Sequence, residues 1–186
     1  MSDNHFHFIG GNKGKWRILK MEAVVGDSLP LASHLDITQK PALQASDTNA
    51  EVSWVLSAFT SNHRYTYREE KDKLVAVQAG LGRAEATCAA LIPIRKTEAW
   101  WALAQDERQE IFTARSQHTA VGLKYLPAIA RKLYHCRDLG QPFDFLTWFE
   151  YAPEYATAFE ELVVALRSTH EWQYIDREVD FRLQKV

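Results

Sequence analysis

The chain has 186 residues, of which 46% are hydrophobic and 25% charged, a composition that suits one globular domain or two small halves sharing a core. Its 24 acidic and 22 basic residues are interspersed, so we expect it to bind neither nucleic acid nor an anionic membrane. Cys88 and Cys136 form no CxxC pair, which argues against a disulfide framework and a thiolate zinc site. Without a signal-peptide pattern or a run of about 18 apolar residues, the sequence predicts a cytoplasmic protein.

The N-terminal half reads as short strands and one helix. Aromatic and β-branched runs at 5–9 and 16–25, separated by a glycine-rich turn, predict a hairpin. Residues 26–49 read as a long connection, and the sequence gives no function for this segment. Apolar residues on both faces of 51–60 predict a central strand, and the charged stretch 64–78 predicts a helix that ends before two glycines.

Several signals mark the middle of the chain. Residues 85–96 form an apolar run, and Pro93 within it predicts an edge strand or a bulge. Thr97 can cap a short helix, and Asp106 can cap the next one. In this second helix, His118 falls on the apolar face, so we expect the histidine to point inward or into a pocket.

After this helix the pattern returns to strands. Pro127 predicts a turn, and residues 131–136 and 143–151 predict two strands. A helix with one apolar stripe starts at Pro153, and residues 171–183 alternate as a last strand. We therefore predict an α+β fold in one compact chain: two ferredoxin-like halves, about 1–96 and 97–186, whose sheets curl into a barrel-like core.

Seven residues are candidates for chemistry, although each one alone has an ordinary structural explanation. A histidine on an apolar helix face is more often a hydrogen-bonded core residue than a ligand. Cations at strand ends usually reach solvent, and a carboxylate at a strand start is usually exposed. Tryptophans usually fill cores. A glutamine shortly before a glycine commonly lies at the end of a helix. The seven are Gln78, Lys96, Trp100, Trp101, His118, Arg131 and Glu171.

Taken together, these residues suggest a haem site. Haem iron needs one proximal imidazole held by an acceptor, and a distal pocket whose donors act on the sixth ligand. His118, Glu171 and Arg131 can supply these three roles. From about residue 51 onward the chain also resembles the chlorite dismutases, in the stretches GLGRAEATCAALIPIRKTEAWWALAQDER, RSQHTAVGLKYLPAIARKLYHCRDLGQPFDFLTWFEYAP and HEWQYIDREVDFRL.

The resemblance implies a role for each residue on the proximal side. His118 would be the axial ligand of haem b, and Glu171 would accept a hydrogen bond from its ring. Lys96 would lie close to that carboxylate. Trp100 and Trp101 would pack against the proximal side and edge of the haem.

On the distal side, the resemblance implies that Arg131 is the one charged residue of an apolar pocket and that Gln78 holds its guanidinium. The implied reaction converts chlorite to chloride and dioxygen, with Arg131 attracting chlorite and retaining hypochlorite until dioxygen forms. The short chain resembles the homodimeric lineage of the family. The expected assembly is therefore a dimeric α+β barrel.

Two other functions stay open at this point. Related enzymes decarboxylate coproheme during haem synthesis, but they have a glutamine where this chain has Arg131. A non-enzymatic haem carrier or sensor would use Arg131 as a clamp for a propionate or a ligand.

Overall fold

A computed structural model of the protein describes residues 4–39, 50–60, 80–112, 121–122, 124–125 and 127–186. The predicted helix at 64–78 lies outside these residues, and so do Gln78 and His118.

Strands dominate the described residues, and three α-helices accompany them. The strands are β1 (His5–Gly11), β2 (Trp16–Val25), β3 (His34–Thr38), β4 (Val52–Thr60), β5 (Cys88–Lys96), β6 (Ala130–His135), β7 (Phe145–Tyr151) and β8 (Ile175–Lys185). The helices are α1 (Glu98–Ala102), α2 (Gln105–Glu110) and α3 (Ala156–Arg167), and 3₁₀ turns lie at Arg137–Leu139, Pro153–Tyr155 and His170–Tyr174.

The eight strands form a closed barrel in the order β1-β3-β2-β8-β5-β7-β6-β4, and β1 pairs with β4 to complete the ring. Neighbouring strands are antiparallel. The first four strands and the last four are arranged in the same way. The order is β4-β1-β3-β2 in the first set and β8-β5-β7-β6 in the second. The predicted α+β class and barrel-like core are therefore confirmed.

The predicted hairpin between the first two strands is wrong. β1 pairs with β3 and β4, whereas β2 pairs with β3 and β8, so β3 lies between the two runs that were expected to pair. β3 itself falls in the segment that reads as a connection. It has five residues, and Leu35 is its one fully buried side chain, so its alternation is too short to stand out.

Of the two structures that Pro93 predicts for β5, the edge strand is wrong, because β5 pairs with β7 on one side and β8 on the other. The irregularity near the end of the strand is present, since the pairing with β8 shifts register between Arg95 and Lys96. Pro93 is accommodated at a gap in the β8 ladder, where Leu91 pairs with Phe181 and the next pair is Ile94 with Glu178. A proline cannot donate to a ladder, so it fits where pairing is interrupted.

Two apolar layers cover the two faces of the C-terminal strands. Inside the barrel, every strand contributes to one core, whose large members include Phe8, Leu35, Trp148 and Phe181. The second layer lies on the outside, where α3 packs its buried side chains against β5, β7 and β8; we call this side the outer face. The outer face includes Ile92, Ile94, Phe149, Phe159 and Leu162.

The helix starts match the predictions in part. Thr97 caps α1, since its Oγ1 accepts the backbone N–H of Trp100 at 3.3 Å. The predicted cap at Asp106 is wrong, because α2 begins at Gln105 after Ala104, whose N–H donates to Glu107 Oε2 at 2.7 Å.

None of the helices in the described part of the chain is long and apolar enough to cross a bilayer.

Candidate functional site

The outer face of the C-terminal strands carries two cations among apolar residues. Arg131 on β6 lies directly opposite Phe149 on β7, and side chains of directly opposed residues share a face of the sheet. Phe149 belongs to the outer layer, so Arg131 points to that side too. Lys96 ends β5 two residues after Ile94, another outer-layer residue, and β-strand alternation brings it to the same face.

Lys96 forms a buried ion pair with Glu171. Its Nζ donates to Glu171 Oε1 at 2.7 Å, and the two side chains are 2% and 6% exposed. Burial lowers the pKa of the Lys96 ammonium, while the charge of Glu171 acts in the opposite direction. Contrary to the ordinary expectation for these residue types, neither side chain reaches solvent. Glu171 lies in the 3₁₀ turn before β8 and not at the start of the strand.

The neighbouring backbone fixes this pair. The N–H of Thr97 donates to the carbonyl of Tyr174 at 2.8 Å, which joins the start of α1 to the turn that carries Glu171. The Trp100 and Tyr174 rings lie 5.4 Å apart and strengthen the same junction. The lysine and the glutamate therefore come from elements that are held together independently of their charges.

The two adjacent tryptophans have different surroundings. Lys96 Nζ lies 4.3 Å from the centre of the Trp100 ring, and Trp100 is 2% exposed. Within the described residues, its buried Nε1 has no hydrogen-bond partner. Trp101 instead donates from Nε1 to Asp144 Oδ2 at 3.2 Å and stacks on Phe145. Of the two tryptophans, Trp100 is therefore the one whose ring is seen against the ion pair among the described contacts.

Asp144 is a supporting residue that the sequence analysis did not single out. It is 4% exposed, and its Oδ2 also accepts the backbone N–H of Lys96 at 2.7 Å. Its own N–H donates to the carbonyl of Ile94, and its Oδ1 lies 3.3 Å from Arg137 Nη1. One carboxylate thus fixes both the end of β5 and the Trp101 indole. An acidic residue among the aromatics of the FDF stretch was the signal that could have identified it.

The Arg131 guanidinium lies against the backbone of Gly122. A Cβ placed on Gly122 would be 2.8 Å from Nη1 and 3.1 Å from Cζ of Arg131. The half-buried position of the arginine lowers the pKa of its guanidinium through desolvation. Arginine nevertheless remains charged in proteins at neutral pH, so a cation faces this apolar side of the sheet.

A short hydrogen-bonded turn joins Gly122 to β6. The carbonyl of Gly122 accepts the N–H of Tyr125, and the carbonyl of Tyr125 accepts that of Ile129, both at 3.2 Å. Arg83 Nη2 donates to the Ala128 carbonyl at 2.9 Å and ties the turn to the segment before β5. The turn predicted at Pro127 is thus confirmed.

Glu150 holds the other end of that segment, and the sequence analysis did not identify it. Its Oε2 accepts the N–H of Gly82 at 2.6 Å, and its Oε1 accepts the Trp148 indole N–H at 2.9 Å. Gly82 has a φ of +82°, which favours glycine. Glu150 and Arg83 therefore fix the segment that follows Gln78 in sequence.

Chemically, the outer face offers two features. The buried Glu171 carboxylate, next to a lysine, can orient a donor group, and the Arg131 cation can attract a small anion in apolar surroundings. The described residues contain no cluster of three or more histidine, cysteine or acidic side chains that could hold a metal ion by itself. The structure brings Lys96, Glu171 and Trp100 into contact and leaves Trp101 one step away.

The fold is an antiparallel α+β barrel. Its outer face carries a site in which a few charged side chains lie among apolar ones. The family model for chlorite dismutase matches residues 38–185. The chain therefore belongs to the chlorite dismutase family.

Solved structures agree with this assignment. The crystal structure of dimeric chlorite dismutases from Nitrobacter winogradskyi is 57% identical, with a TM-score of 0.89, over 97% of this chain and 99% of that one. The structure of chlorite dismutase from Candidatus Nitrospira defluvii in complex with imidazole is 19% identical, with a TM-score of 0.69, over 97% of this chain and 90% of that one, and shows the shared fold.

A curated relative matches a shorter part of the chain. The chlorite dismutase of Ideonella dechloratans is 35% identical over 85 residues, which are 45% of this chain and 27% of the relative. The matched region thus spans about a quarter of that protein's length.

Proposed function

We propose that this protein is a haem b enzyme that converts chlorite to one chloride and one dioxygen without an external electron donor. The observation that carries this proposal is Arg131, a cation placed on an apolar face with its guanidinium against Gly122. Chlorite is a small anion, and a half-desolvated arginine attracts such an anion more strongly than an exposed one does. Membership of the chlorite dismutase family supports the same reaction.

The residues of the outer face fit a haem group. Leu133 follows Arg131 by two residues on β6 and so faces the same side, yet it is 45% exposed. An exposed apolar side chain next to a cation offers a surface on which a large flat apolar group could pack. The Trp100 indole N–H, buried and without a partner among the described residues, could donate to a haem carboxylate.

His118 is the proposed axial ligand, from its position in the family-like stretch of the sequence. Glu171 would accept a hydrogen bond from the imidazole, and Lys96 would hold that carboxylate in place through the ion pair. Trp100 and Trp101 would pack at the proximal side and edge of the haem. A carboxylate acceptor makes the imidazole a stronger donor to iron, which favours the ferric state.

When bound, ferric haem would supply the centre at which the O–Cl bond of chlorite breaks and the O–O bond forms. Arg131 would draw chlorite in, and its planar donors would hold hypochlorite until both oxygen atoms leave as dioxygen and chlorine leaves as chloride. Gln78 is the proposed partner that orients the guanidinium. All atoms of chlorite appear in the two products, so the reaction needs no reductant.

We also propose that each half of the barrel is a ferredoxin-like unit, about 1–96 and 97–186, of which the second binds haem. The repeated strand order of β1–β4 and β5–β8 supports two such units, but it favours a boundary in the segment before Cys88, where β5 begins, over one at about residue 96. A homodimer and a cytoplasmic location complete the proposal, the former because the Nitrobacter winogradskyi relative is dimeric.

Two alternative functions predict different behaviour. A coproheme decarboxylase would act on the propionates of its haem substrate, and a haem carrier or sensor would turn nothing over. Arg131 speaks against the first, because the related decarboxylases have glutamine at this position.

An oxygen electrode separates the proposed enzyme from both alternatives. Haem-loaded protein is mixed with chlorite in the absence of any reductant, and haem without protein serves as the control. We expect rapid oxygen evolution. No oxygen above the control would remove the proposed enzyme and leave the alternatives.

A further inference from the structure

The contact between Arg131 and Gly122 has functional consequences if the proposed chlorite reaction is correct. Nη1, Cζ and Nη2 of Arg131 would lie 2.8, 3.1 and 3.3 Å from a Cβ at position 122. Real Cβ atoms essentially never approach another heavy atom closer than 3.0 Å, and ordinary contact begins at 3.4 Å. The guanidinium therefore occupies space that only a glycine leaves open.

Hydrogen bonds fix the backbone around Gly122. Hydrogen bonds run from Tyr125 to Gly122 and from Ile129 to Tyr125, and Ala130 after them starts β6. Arg83 adds a third anchor at the carbonyl of Ala128. A guanidinium at the end of a flexible side chain moves at lower cost than this turn, so an added methyl group would displace the guanidinium.

We propose that Gly122 is a positioning residue for the reaction: by lacking a side chain, it sets where the Arg131 guanidinium stands on the outer face. A glycine can thereby determine how strongly the site binds an anion and how well it retains hypochlorite. Gly122 itself touches neither substrate nor cofactor in this proposal. It acts through the arginine.

The first test is the variant Gly122→Ala. Gly122 has helical backbone conformation, in which alanine is at least as favourable as glycine, so the free energy of unfolding of the haem-free protein should stay the same or rise slightly. The dissociation constant of fluoride for the ferric haem-loaded protein, followed by absorbance, should rise by about threefold to tenfold. Hypochlorite released to a scavenger per chlorite consumed should rise as well.

Gly80→Ala is the matched control. A Cβ on Gly80 meets no atom of the described residues within 4 Å, and its φ lies outside the left-handed range, so fluoride affinity and hypochlorite release should equal those of the parent. A general effect of replacing glycine by alanine would appear in both variants.

A double-mutant cycle with Arg131→Ala separates positioning from any direct role of the glycine. If Gly122 acts through the arginine, Gly122→Ala should change fluoride affinity in the parent and leave it unchanged in the Arg131→Ala background. An equal change in both backgrounds would overturn the proposal. Parent-like fluoride affinity in Gly122→Ala would overturn it too.

These tests distinguish a failure of the positioning role of Gly122 from a failure of the proposed chlorite reaction. If the haem-loaded parent releases no oxygen from chlorite, the enzymatic proposal fails, while the fluoride titrations still test the link between Gly122 and Arg131. If the parent releases oxygen and Gly122→Ala matches it in both fluoride affinity and hypochlorite release, only the positioning role is wrong.

Discussion

The ammonium of Lys96 donates to the carboxylate of Glu171 at 2.7 Å in a position where the two side chains are only 2% and 6% exposed. A buried ion pair is costly to break from one side, because the remaining charge stays in a poorly solvated place. The pair therefore holds the Glu171 carboxylate in one position. This property is what a proximal hydrogen-bond acceptor requires.

Replacing Lys96 by methionine should destabilise the haem-free protein by about 3–5 kcal/mol, since the Glu171 carboxylate loses its buried cation. Urea unfolding of the variant measures this loss. Combining Lys96→Met with Glu171→Gln should recover much of it, because no buried charge then remains at the pair.

Arg95→Met provides the control one residue away. Arg95 pairs with Asp176 at 2.8 Å, but the two side chains are 45% and 39% exposed, and exposed pairs contribute about 1 kcal/mol or less. Equal losses in Lys96→Met and Arg95→Met would contradict the role assigned to the buried pair.

Asp144 should matter as an acceptor more than as a charge. Asp144→Ala leaves the Lys96 backbone N–H and the Trp101 indole N–H without their acceptor, at about 1–3 kcal/mol each. Asp144→Asn keeps one side-chain oxygen and should cost clearly less. Urea unfolding compares the two variants, and an equal loss in both would show that the hydrogen bonds to Oδ2 are not what Asp144 supplies.

Alkaline pH should weaken the fold partly through Tyr151. Burial raises the pKa of its phenol from 10.0 to about 12, so the folded state keeps a proton that the unfolded state releases above pH 10. Stability contributed by the neutral phenol is complete below pH 10 and is lost as the pH rises toward 12, by about 2–3 kcal/mol in all.

Tyr151→Phe cannot release this proton, so its unfolding free energy should fall less steeply than that of the parent between pH 9.5 and about 11. Urea midpoints at several pH values measure the slope. If the unfolding free energy falls equally steeply with pH in the parent and in Tyr151→Phe, the pKa of Tyr151 does not differ between the folded and the unfolded protein.

Arg131→Ala should still bind haem, because the proposed iron ligand is His118. The variant should, however, release more hypochlorite per chlorite consumed and bleach sooner. Arg131→Lys keeps the charge and loses the planar fork of donors, so it should fall between the parent and the alanine variant. Chlorination of a scavenger measures escape, with Arg95→Met as a control in which an exposed cation is lost. Parent-like release from Arg131→Ala would show that the arginine does not retain hypochlorite.

Local patterns predicted the elements whose periodicity is long and clear. β4, β6 and β7 follow their apolar patterns, and the buried stripe of α3 appears as expected, with Phe159, Leu162, Val163 and Leu166 covered. The order of the strands was not readable, because β3 is short and inserts between two runs that look like a hairpin.

The burial of Lys96 illustrates what sequence patterns cannot give. A lysine at the end of a strand usually reaches solvent, and its partner Glu171 is 75 positions away along the chain. The resemblance to a family pointed to this pair, whereas Gly122, Asp144 and Glu150 became evident only from three-dimensional contacts. Asp144 and Glu150 accept hydrogen bonds from positions 48 and 68 residues away, which local patterns do not show.

The most direct measurement is the yield of the reaction in the haem-loaded protein. Chlorite is added without any reductant, and dioxygen, chloride and remaining chlorite are quantified in the same sample. We expect one dioxygen and one chloride for each chlorite consumed until the enzyme bleaches. Chlorite consumption without matching dioxygen, or no consumption above free haem, would contradict it.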